Sequence, residues 1–207
     1  MLLRFAPLLF AFAAVPALSQ TAAPPAAVAP KSDLIRVALE SGVGRIVLQL
    51  DRGRAPITTA NFLAYVEGQR FDGQTFYRAM AMGDGGLIQG GVRSDARLLF
   101  PPISHEPTSA TGLKNLAGSI VMANAGAGTT CSDFFILLSD QPAFDAGHPQ
   151  GDASGFAVFG RVVEGMDVVK KIFASPLSAT KGDGVMKGQM LEPEVKIVKA
   201  ERLPATP

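Results

Sequence analysis

One arginine stands at the end of an apolar, aromatic stretch, in a setting that could do chemistry. Arg78 follows Phe76 and Tyr77 within residues 75–91, which read TFYRAMAMGDGGLIQGG. A guanidinium stays charged at ordinary pH and offers several N–H donors in a fixed plane, so it can stabilise charge that develops on a bound molecule. Taken alone, an arginine at a strand end is more often part of a surface ion pair, and that alternative stays open.

A second apolar stretch covers residues 119–138 and reads SIVMANAGAGTTCSDFFILL. Two runs typical of β-strands flank a small, polar connector in this stretch. Phe134 and Phe135 lie next to each other in the second run, so in a strand their side chains would point to opposite faces. Either ring could be core, since an apolar strand always buries one face.

Other kinds of reaction chemistry find little support. The chain has only two histidines, His105 and His148, and one cysteine, Cys131, which is too few for a convincing zinc or copper site. The sequence contains no phosphate-binding loop, dinucleotide fingerprint or nucleophile elbow. We therefore expect no metal and no cofactor.

The composition predicts one β-rich domain. The chain has 207 residues, a formal net charge of +1, 22 glycines, 15 prolines and no tryptophan, which favours short strands and many turns. The near-zero net charge gives no reason to expect binding to nucleic acid. A single cysteine cannot form an internal disulfide.

The amino-terminal residues resemble an export signal. Arg4 gives a positive start, an apolar run at residues 5–17 is too short to span a bilayer, and Ala17-Leu18-Ser19 is a small-x-small cleavage site. We predict a signal peptide over residues 1–19 and a disordered Pro/Ala-rich spacer over residues 20–33. The expected location is periplasmic or secreted, with no membrane anchor after cleavage.

Periodicity predicts eight strands and two helices. The helices are expected at residues 57–67 and 164–173, with apolar residues at helical spacing and Pro56 at the first turn. The strands are expected at residues 34–40, 45–50, 75–80, 87–89, 119–123, 134–138, 156–163 and 194–203. A flexible glycine segment at residues 83–86 is expected to separate the third strand from the fourth, and residues 175–189 are expected to form a loop.

Several of these segments together resemble the cyclophilin-type peptidyl-prolyl isomerases, over residues 34–203, with residues 204–207 left as a tail. The resemblance is closest to small secreted bacterial members. The matching segments are Phe76-Tyr77-Arg78, Ile88-Gln89-Gly90-Gly91, Met122-Ala123-Asn124-Ala125, Phe134-Phe135, Phe144-Asp145 and Phe156-Ala157-Val158-Phe159-Gly160. The resemblance implies a mainly β fold, a closed eight-stranded antiparallel barrel capped by two α-helices.

The resemblance also implies an activity, the cis–trans isomerisation of X-Pro bonds. This reaction needs no nucleophile and no cofactor; it needs a pocket for the proline ring and a donor that favours the twisted amide over the planar one. Arg78 would be that donor, and Gln89 would orient it. The remaining residues implied to contact the substrate are Phe76, Leu87, Ala123, Asn124, Asp133, Phe135, Phe144 and Phe156.

Three departures from the family pattern bear on turnover. Gln89 follows Arg78 by eleven residues, about three more than is usual in the family, and Gly86-Leu87 stands where a bulky phenylalanine and a methionine are expected. Asp133 replaces the usual glutamine and could either pair with Arg78 or repel acidic peptides. An alternative hypothesis is therefore a proline-peptide binding module or holdase with little turnover.

The expected partners follow from this interpretation. They are proline-containing peptides and unfolded or exported proteins. Nothing in the sequence demands more than a monomer.

Overall fold

The computed structural model describes residues 33–93, 95–124 and 132–205. The predicted signal peptide, nearly all of the spacer and Cys131 lie outside the described residues. The α-helices are α1 (Pro56–Glu67), α2 (Thr108–Thr111) and α3 (Met166–Phe173), and two 3₁₀ turns cover Pro142–Phe144 and Gly184–Met186. The strands are β1 (Leu34–Ser41), β2 (Gly44–Asp51), β3 (Thr75–Met82), β4 (Gly85–Gly91), β5 (Ser119–Met122), β6 (Phe134–Leu137), β7 (Ala157–Glu164) and β8 (Met190–Arg202).

The eight strands close into an antiparallel barrel, which confirms the expected fold class. Their order around the barrel is β1-β2-β7-β5-β6-β4-β3-β8. On β2, Ile46, Leu48 and Leu50 are fully buried, as expected from the alternation of side chains along a strand. All eight predicted strands are present, and their ends shift by a few residues.

A cluster of aromatic rings fills one end of the barrel beneath α1. The ring of Phe62 on α1 lies 5.1–5.4 Å from the rings of Phe71, Phe134 and Phe159. Such tilted and edge contacts stabilise aromatic pairs beyond their burial. This cluster holds α1 against the start of β6, the strand that carries Phe135 on its other face.

A distant carboxylate caps the amino end of α1. The side chain of Glu106 accepts hydrogen bonds from the backbone N–H of Ile57 (3.1 Å) and of Thr58 (2.7 Å), and from the Thr58 hydroxyl (2.6 Å). A negative charge at a helix amino terminus satisfies unpaired N–H groups and interacts favourably with the helix dipole. Glu106 therefore ties the irregular segment before α2 to the barrel.

The third α-helix lies at the opposite end of the barrel from α1. It packs against the beginning of β2, where Val168 contacts Gly44, whereas α1 follows the end of β2. The predicted start at residue 164 is wrong by two residues, because Gly165 has a left-handed φ of 88° and makes the turn between β7 and α3. The two predicted capping helices are confirmed, and α2 is an additional single turn.

The β3–β4 hairpin differs from the prediction of two strands separated by a flexible glycine segment. The two strands continue through that segment, so Met82 pairs with Gly85 and only Gly83 and Asp84 form the turn. Gly83 has a φ of 54°, which glycine adopts without strain. The inserted residues therefore lengthen the hairpin at its tip and leave the pairing near Arg78 intact.

None of the helices within the described ranges is long and apolar enough to cross a membrane.

Candidate active site

A β-bulge in β3 decides which way Arg78 points. Phe76 pairs with Gly90 and Arg78 pairs with Gln89, so Tyr77 is the extra residue of the bulge. Simple alternation would place Phe76 and Arg78 on one face, because they are two residues apart. The bulge instead sends Phe76 into the barrel core and Arg78 to the outer face.

The guanidinium of Arg78 is held from two sides. Its Nη1 donates to Gln89 Oε1 at 2.9 Å, as the sequence predicted for this pair. Its Nε and Nη2 both donate to Gln189 Oε1, at 2.9 and 2.6 Å. The sulfur of Met80 lies 3.0 Å from Nη2. Arg78 has no ion pair with a carboxylate among the described residues, so the surface ion-pair alternative is not supported.

Partial burial sets the electrostatics of Arg78. Desolvation lowers the pKa of its guanidinium below the usual value, and the nearby Tyr77 opposes this shift. The group remains charged, because the ordinary pKa of arginine lies far above neutral pH. A charged donor that has lost part of its water interacts more strongly with a bound acceptor than one in bulk solvent.

Three phenylalanine rings form an apolar pocket beside Arg78. Phe135 on β6 meets Phe156 edge-on at 5.4 Å and 82°, and meets Phe144 at 6.0 Å and 79°. Phe144 and Phe156 lie 4.9 Å apart, and Phe156 N donates to Phe144 O at 2.9 Å. Leu87 on β4 belongs to the same apolar cluster. The rings therefore support one another through direct contacts.

Most of the predicted site residues line one cavity of about 210 Å³. Met80 and Met186 line it as well, although neither was predicted from the sequence. Met80 could have been found by alternation from Arg78 on the same strand, whereas Met186 ends a 3₁₀ turn that no sequence pattern indicated. The predicted residues in this lining are Arg78, Leu87, Gln89, Ala123, Asn124, Phe135, Phe144 and Phe156.

Phe76, predicted as a substrate contact, is not in this lining. Its ring is fully buried in the core, and it contacts Phe134 edge-on at 5.9 Å. The physical reason is the bulge at Tyr77, which shifts the alternation of β3. Phe76 supports the strand that carries Arg78 and does not reach the pocket.

Asp133 also lies outside the cavity lining, and its carboxylate contacts Tyr77 and Arg93 instead of pairing with Arg78. Its Oδ2 accepts a hydrogen bond from the Tyr77 hydroxyl at 2.7 Å, and its Oδ1 accepts from the backbone N–H of Arg93 at 2.8 Å. The Arg93 guanidinium lies 4.0 Å from the centre of the Tyr77 ring. Asp133 thus binds the bulge residue and leaves Arg78 to the two glutamines.

This arrangement keeps the Tyr77 hydroxyl protonated. Burial raises the pKa of Tyr77 far above its usual value, and the charge of Asp133 and the hydrogen bond to it raise it further. A buried hydroxyl that donates to a carboxylate loses that bond on ionisation and would place two negative charges side by side. Tyr77 is therefore a structural donor that fixes the bulge.

The loop that carries Phe144 is anchored by Asp145. Its carboxylate accepts hydrogen bonds from the backbone N–H (3.0 Å) and side-chain amide (2.9 Å) of Asn115, and Lys114 lies 3.2 Å away. Burial by itself would raise the pKa of Asp145, but the bonds from Asn115 and Lys114 outweigh it and lower the pKa. The predicted Phe144-Asp145 segment therefore combines one pocket ring with one anchor.

Gly86 occupies the position, directly before Leu87, where the family has a phenylalanine, and its surroundings show why no large side chain is found there. Its φ is 153°, and a Cβ built there would lie 2.7 Å from a ring carbon of Phe173 and closer still to the carbonyl oxygen of Met80. No larger side chain fits this position. Phe173, the last residue of α3, occupies the space into which such a side chain would point, and it packs against the barrel core.

The arrangement can grip a small apolar ring while a charged donor faces the group attached to it. Among the described residues, no group of three or more histidine, cysteine, aspartate or glutamate side chains could hold a metal ion. Gln189 is the contact that sequence reasoning missed, because a polar residue in a loop carries no sign of its neighbours.

Comparison with known proteins identifies the family. Residues 34–202 match the family model described as cyclophilin type peptidyl-prolyl cis-trans isomerase. The chain is 38% identical over 164 residues to peptidyl-prolyl cis-trans isomerase A of Dickeya dadantii (strain 3937). The matched region covers 77% of this chain and 81% of that protein. It is 34% identical over 149 residues to a peptidyl-prolyl cis-trans isomerase of Streptomyces antibioticus, covering 70% and 87%.

A solved structure agrees at the level of the fold. A cyclophilin type peptidyl-prolyl cis-trans isomerase of Cryptosporidium parvum superposes with a TM-score of 0.66 at 19% identity, over 84% of this chain and 100% of that one. The barrel, the motif residues around one cavity and the family match agree with one another. The chain therefore belongs to the cyclophilin-type peptidyl-prolyl cis-trans isomerase family.

Proposed function

We propose that this family member accelerates X-Pro isomerisation in exported proteins and so assists their folding, with Arg78 as the catalytic donor. The observation that carries the proposal is a cavity lined by a half-buried arginine together with three phenylalanine rings. The related Cryptosporidium structure was also determined in the presence of the dipeptide Ala-Pro. By analogy, a proline-containing peptide is the ligand expected here.

The reaction is slow without a catalyst because the amide bond has partial double-bond character, with a rotation barrier of about 18–20 kcal/mol. In the twisted state the prolyl nitrogen becomes pyramidal and accepts a hydrogen bond better than the planar amide does. A donor aimed at that nitrogen therefore lowers the barrier, because it binds the twisted state more strongly than the ground state. Arg78 offers such a donor without any covalent step.

The other pocket residues would hold the substrate and position Arg78. Phe135, Phe144, Phe156 and Leu87 would hold the proline ring by apolar contact, so that the rest of the peptide turns about the bond. Asn124, two residues after the end of β5, would hold the peptide backbone. Gln89 would keep Arg78 in place through the 2.9 Å hydrogen bond.

The longer spacing between Arg78 and Gln89 does not weaken this proposal. The two residues are cross-strand partners, because the extra residues extend the hairpin at its tip. The alternative of a binding module without turnover rested on that insertion, on the missing phenylalanine before Leu87 and on Asp133. Since the insertion leaves the pairing of Arg78 with Gln89 in place and Asp133 bonds to Tyr77, the isomerase remains the better supported proposal.

The site of action is proposed from the amino-terminal sequence alone. The positive start, the short apolar run and the small-x-small motif support export to the periplasm or the medium. The proposed partners are exported or unfolded proteins with accessible proline, bound by a monomer. The amino terminus of the protein purified from the periplasm or medium would begin near residue 20.

The decisive test measures cis-to-trans exchange of a short X-Pro peptide by NMR. The wild-type chain is expected to accelerate exchange, and Arg78→Ala is expected to lose most of that acceleration while its unfolding transition is retained. Arg97→Ala is the matched control, because the Arg97 side chain is 88% exposed and pairs with Asp95. Acceleration that survives Arg78→Ala, or no acceleration by wild type with intact peptide binding, would overturn the proposal.

A further inference from the structure

Gln189 makes more contacts with the guanidinium of Arg78 than the family glutamine does. Its Oε1 accepts from Nε at 2.9 Å and from Nη2 at 2.6 Å, whereas Gln89 accepts from Nη1 alone. The guanidinium has no acceptor, so the amide of Gln189 must present its oxygen to Arg78. Its Nε2 then donates to the Val185 carbonyl at 2.7 Å, which fixes the amide in that orientation.

The backbone holds Gln189 in place as well. Its carbonyl oxygen accepts a hydrogen bond at 2.9 Å from the backbone N–H of Ala79, the residue that follows Arg78 on β3. The next residue, Met190, pairs with Arg78 across β3 and β8. Gln189, the last loop residue before β8, is thus fixed beside the arginine, and the short turn before it places Met186 in the cavity lining.

The contacts leave one donor of Arg78 for a ligand. An arginine has five N–H bonds: one on Nε and two on each terminal nitrogen. Gln189 takes the Nε donor and one on Nη2, and the Met80 sulfur accepts the second Nη2 hydrogen. Gln89 takes one on Nη1, which leaves the second Nη1 hydrogen without a partner among the described residues.

Fixing the plane of the guanidinium matters for catalysis. A single hydrogen bond at Nη1 allows the group to rotate about that contact, whereas bonds at both edges define its plane. Misplacement of a catalytic group by about 1 Å can reduce a rate as much as 100-fold. The long arginine side chain also loses conformational entropy when it is ordered. An acceptor that orders the side chain in the free protein means that substrate binding does not have to supply this entropy cost.

We propose that Gln189 is a positioning residue that holds Arg78 with one Nη1 hydrogen directed to the bound X-Pro peptide. This inference rests on the isomerase function proposed above. It predicts that Gln189 acts only through Arg78 and contributes to turnover rather than to peptide affinity.

The test replaces Gln189 by methionine, which has nearly the same length and cannot accept these hydrogen bonds strongly. We expect kcat for peptide isomerisation to fall about tenfold, with KM changed less than about twofold, because the pocket rings are untouched. Gln150→Met is the control, because Gln150 is exposed in the loop before β7. It should leave both constants unchanged.

A spectroscopic measurement follows Arg78 independently of turnover. In the wild-type chain, the Nε–H cross-peak of Arg78, identified by its loss in Arg78→Ala, is expected to be sharp and slow to exchange with solvent. In Gln189→Met it is expected to broaden or to exchange at least tenfold faster, since its acceptor is gone.

Three results would overturn the inference. These are an Arg78 signal unaffected by Gln189→Met, a kcat that is unchanged although the signal is lost, and a tenfold loss on Gln189→Met that persists in an Arg78→Ala background. The last result would show that Gln189 acts by another route. A wild-type chain that does not accelerate exchange would instead refute the proposed function, and the protected Arg78 signal would then describe only a structural contact.

Discussion

Phe134 and Phe135 are neighbours on β6 whose rings face opposite sides of the barrel wall, so leucine replacements at the two positions should separate stability from peptide binding. Phe134 is fully buried in the core, and Phe135 lies at the base of the cavity with 4% of its surface exposed. Leucine keeps most of the apolar volume at either position and removes the aromatic contacts.

The expected loss of stability follows from the ring contacts of each residue. Phe134 meets three rings edge-on, at 5.4, 5.5 and 5.9 Å, and Phe135 meets two, at 5.4 and 6.0 Å. With about 1 kcal/mol for each pair, Phe134→Leu should lower the free energy of unfolding by about 3 kcal/mol and Phe135→Leu by about 2 kcal/mol. Urea unfolding followed by circular dichroism measures both values.

Peptide binding should show the opposite order. Phe135→Leu removes the flat base on which the proline ring would rest, so the Kd for an Ala-Pro peptide should rise about tenfold, or about 1.4 kcal/mol. Phe134→Leu should change the Kd less than about twofold, because its ring faces the core. Titration of the folded variants measures the two constants.

The reasoning would be refuted if Phe134→Leu weakened the peptide as much as Phe135→Leu did. That result would mean that the Kd depends on the stability of the fold and not on which side of β6 the replaced ring occupies. An unchanged Kd in Phe135→Leu would remove Phe135 from the proposed pocket.

Two further predictions concern the supports of the site. Glu106→Gln removes the charge that caps α1 and should lower the free energy of unfolding by about 1–2 kcal/mol with kcat unchanged, as thermal or urea unfolding would show. Glu67→Gln, at the exposed far end of the helix, should change it by less than about 0.5 kcal/mol, and equal losses would contradict the capping role. Tyr77 should make the free energy of unfolding depend on pH in the alkaline range, because burial and then Asp133 raise the pKa of Tyr77 in the folded chain. Above about pH 10 the unfolded chain loses the Tyr77 proton and the folded chain keeps it, so wild-type stability should fall more steeply with pH than that of Tyr77→Phe. Parallel curves for the two proteins would contradict this.

The positions of strands and pocket residues were predictable where the chain follows local rules. Alternation placed Ile46, Leu48 and Leu50 in the core, and the Phe134-Phe135 pair had to divide between two faces. The two main helices were predictable from apolar spacing and a favourable proline. The bulge at Tyr77 was not predictable in this way, and it reverses the faces of β3 so that Phe76 lies in the core.

Long-range contacts explain the remaining differences. Gly86 was identified only as a missing phenylalanine, and the structure shows that Phe173 from α3 fills the space behind it. Asp133 could not be assigned from its type, because its role depends on Tyr77, 56 residues away in sequence. Glu106 caps a helix that begins 50 residues earlier, and no local pattern indicates that contact.

The sequence by itself determined the β-rich class, the family and most of the residues that meet at the cavity, because strand periodicity and short motifs are properties of neighbouring residues. Only the tertiary structure decided how Arg78 is oriented. That orientation depends on the bulge at Tyr77, on the unbroken pairing with Gln89 and on Gln189, which lies 111 residues away in sequence. A hydrogen bond requires two groups to be within about 3 Å at a suitable angle, and only the closed barrel brings these segments that close.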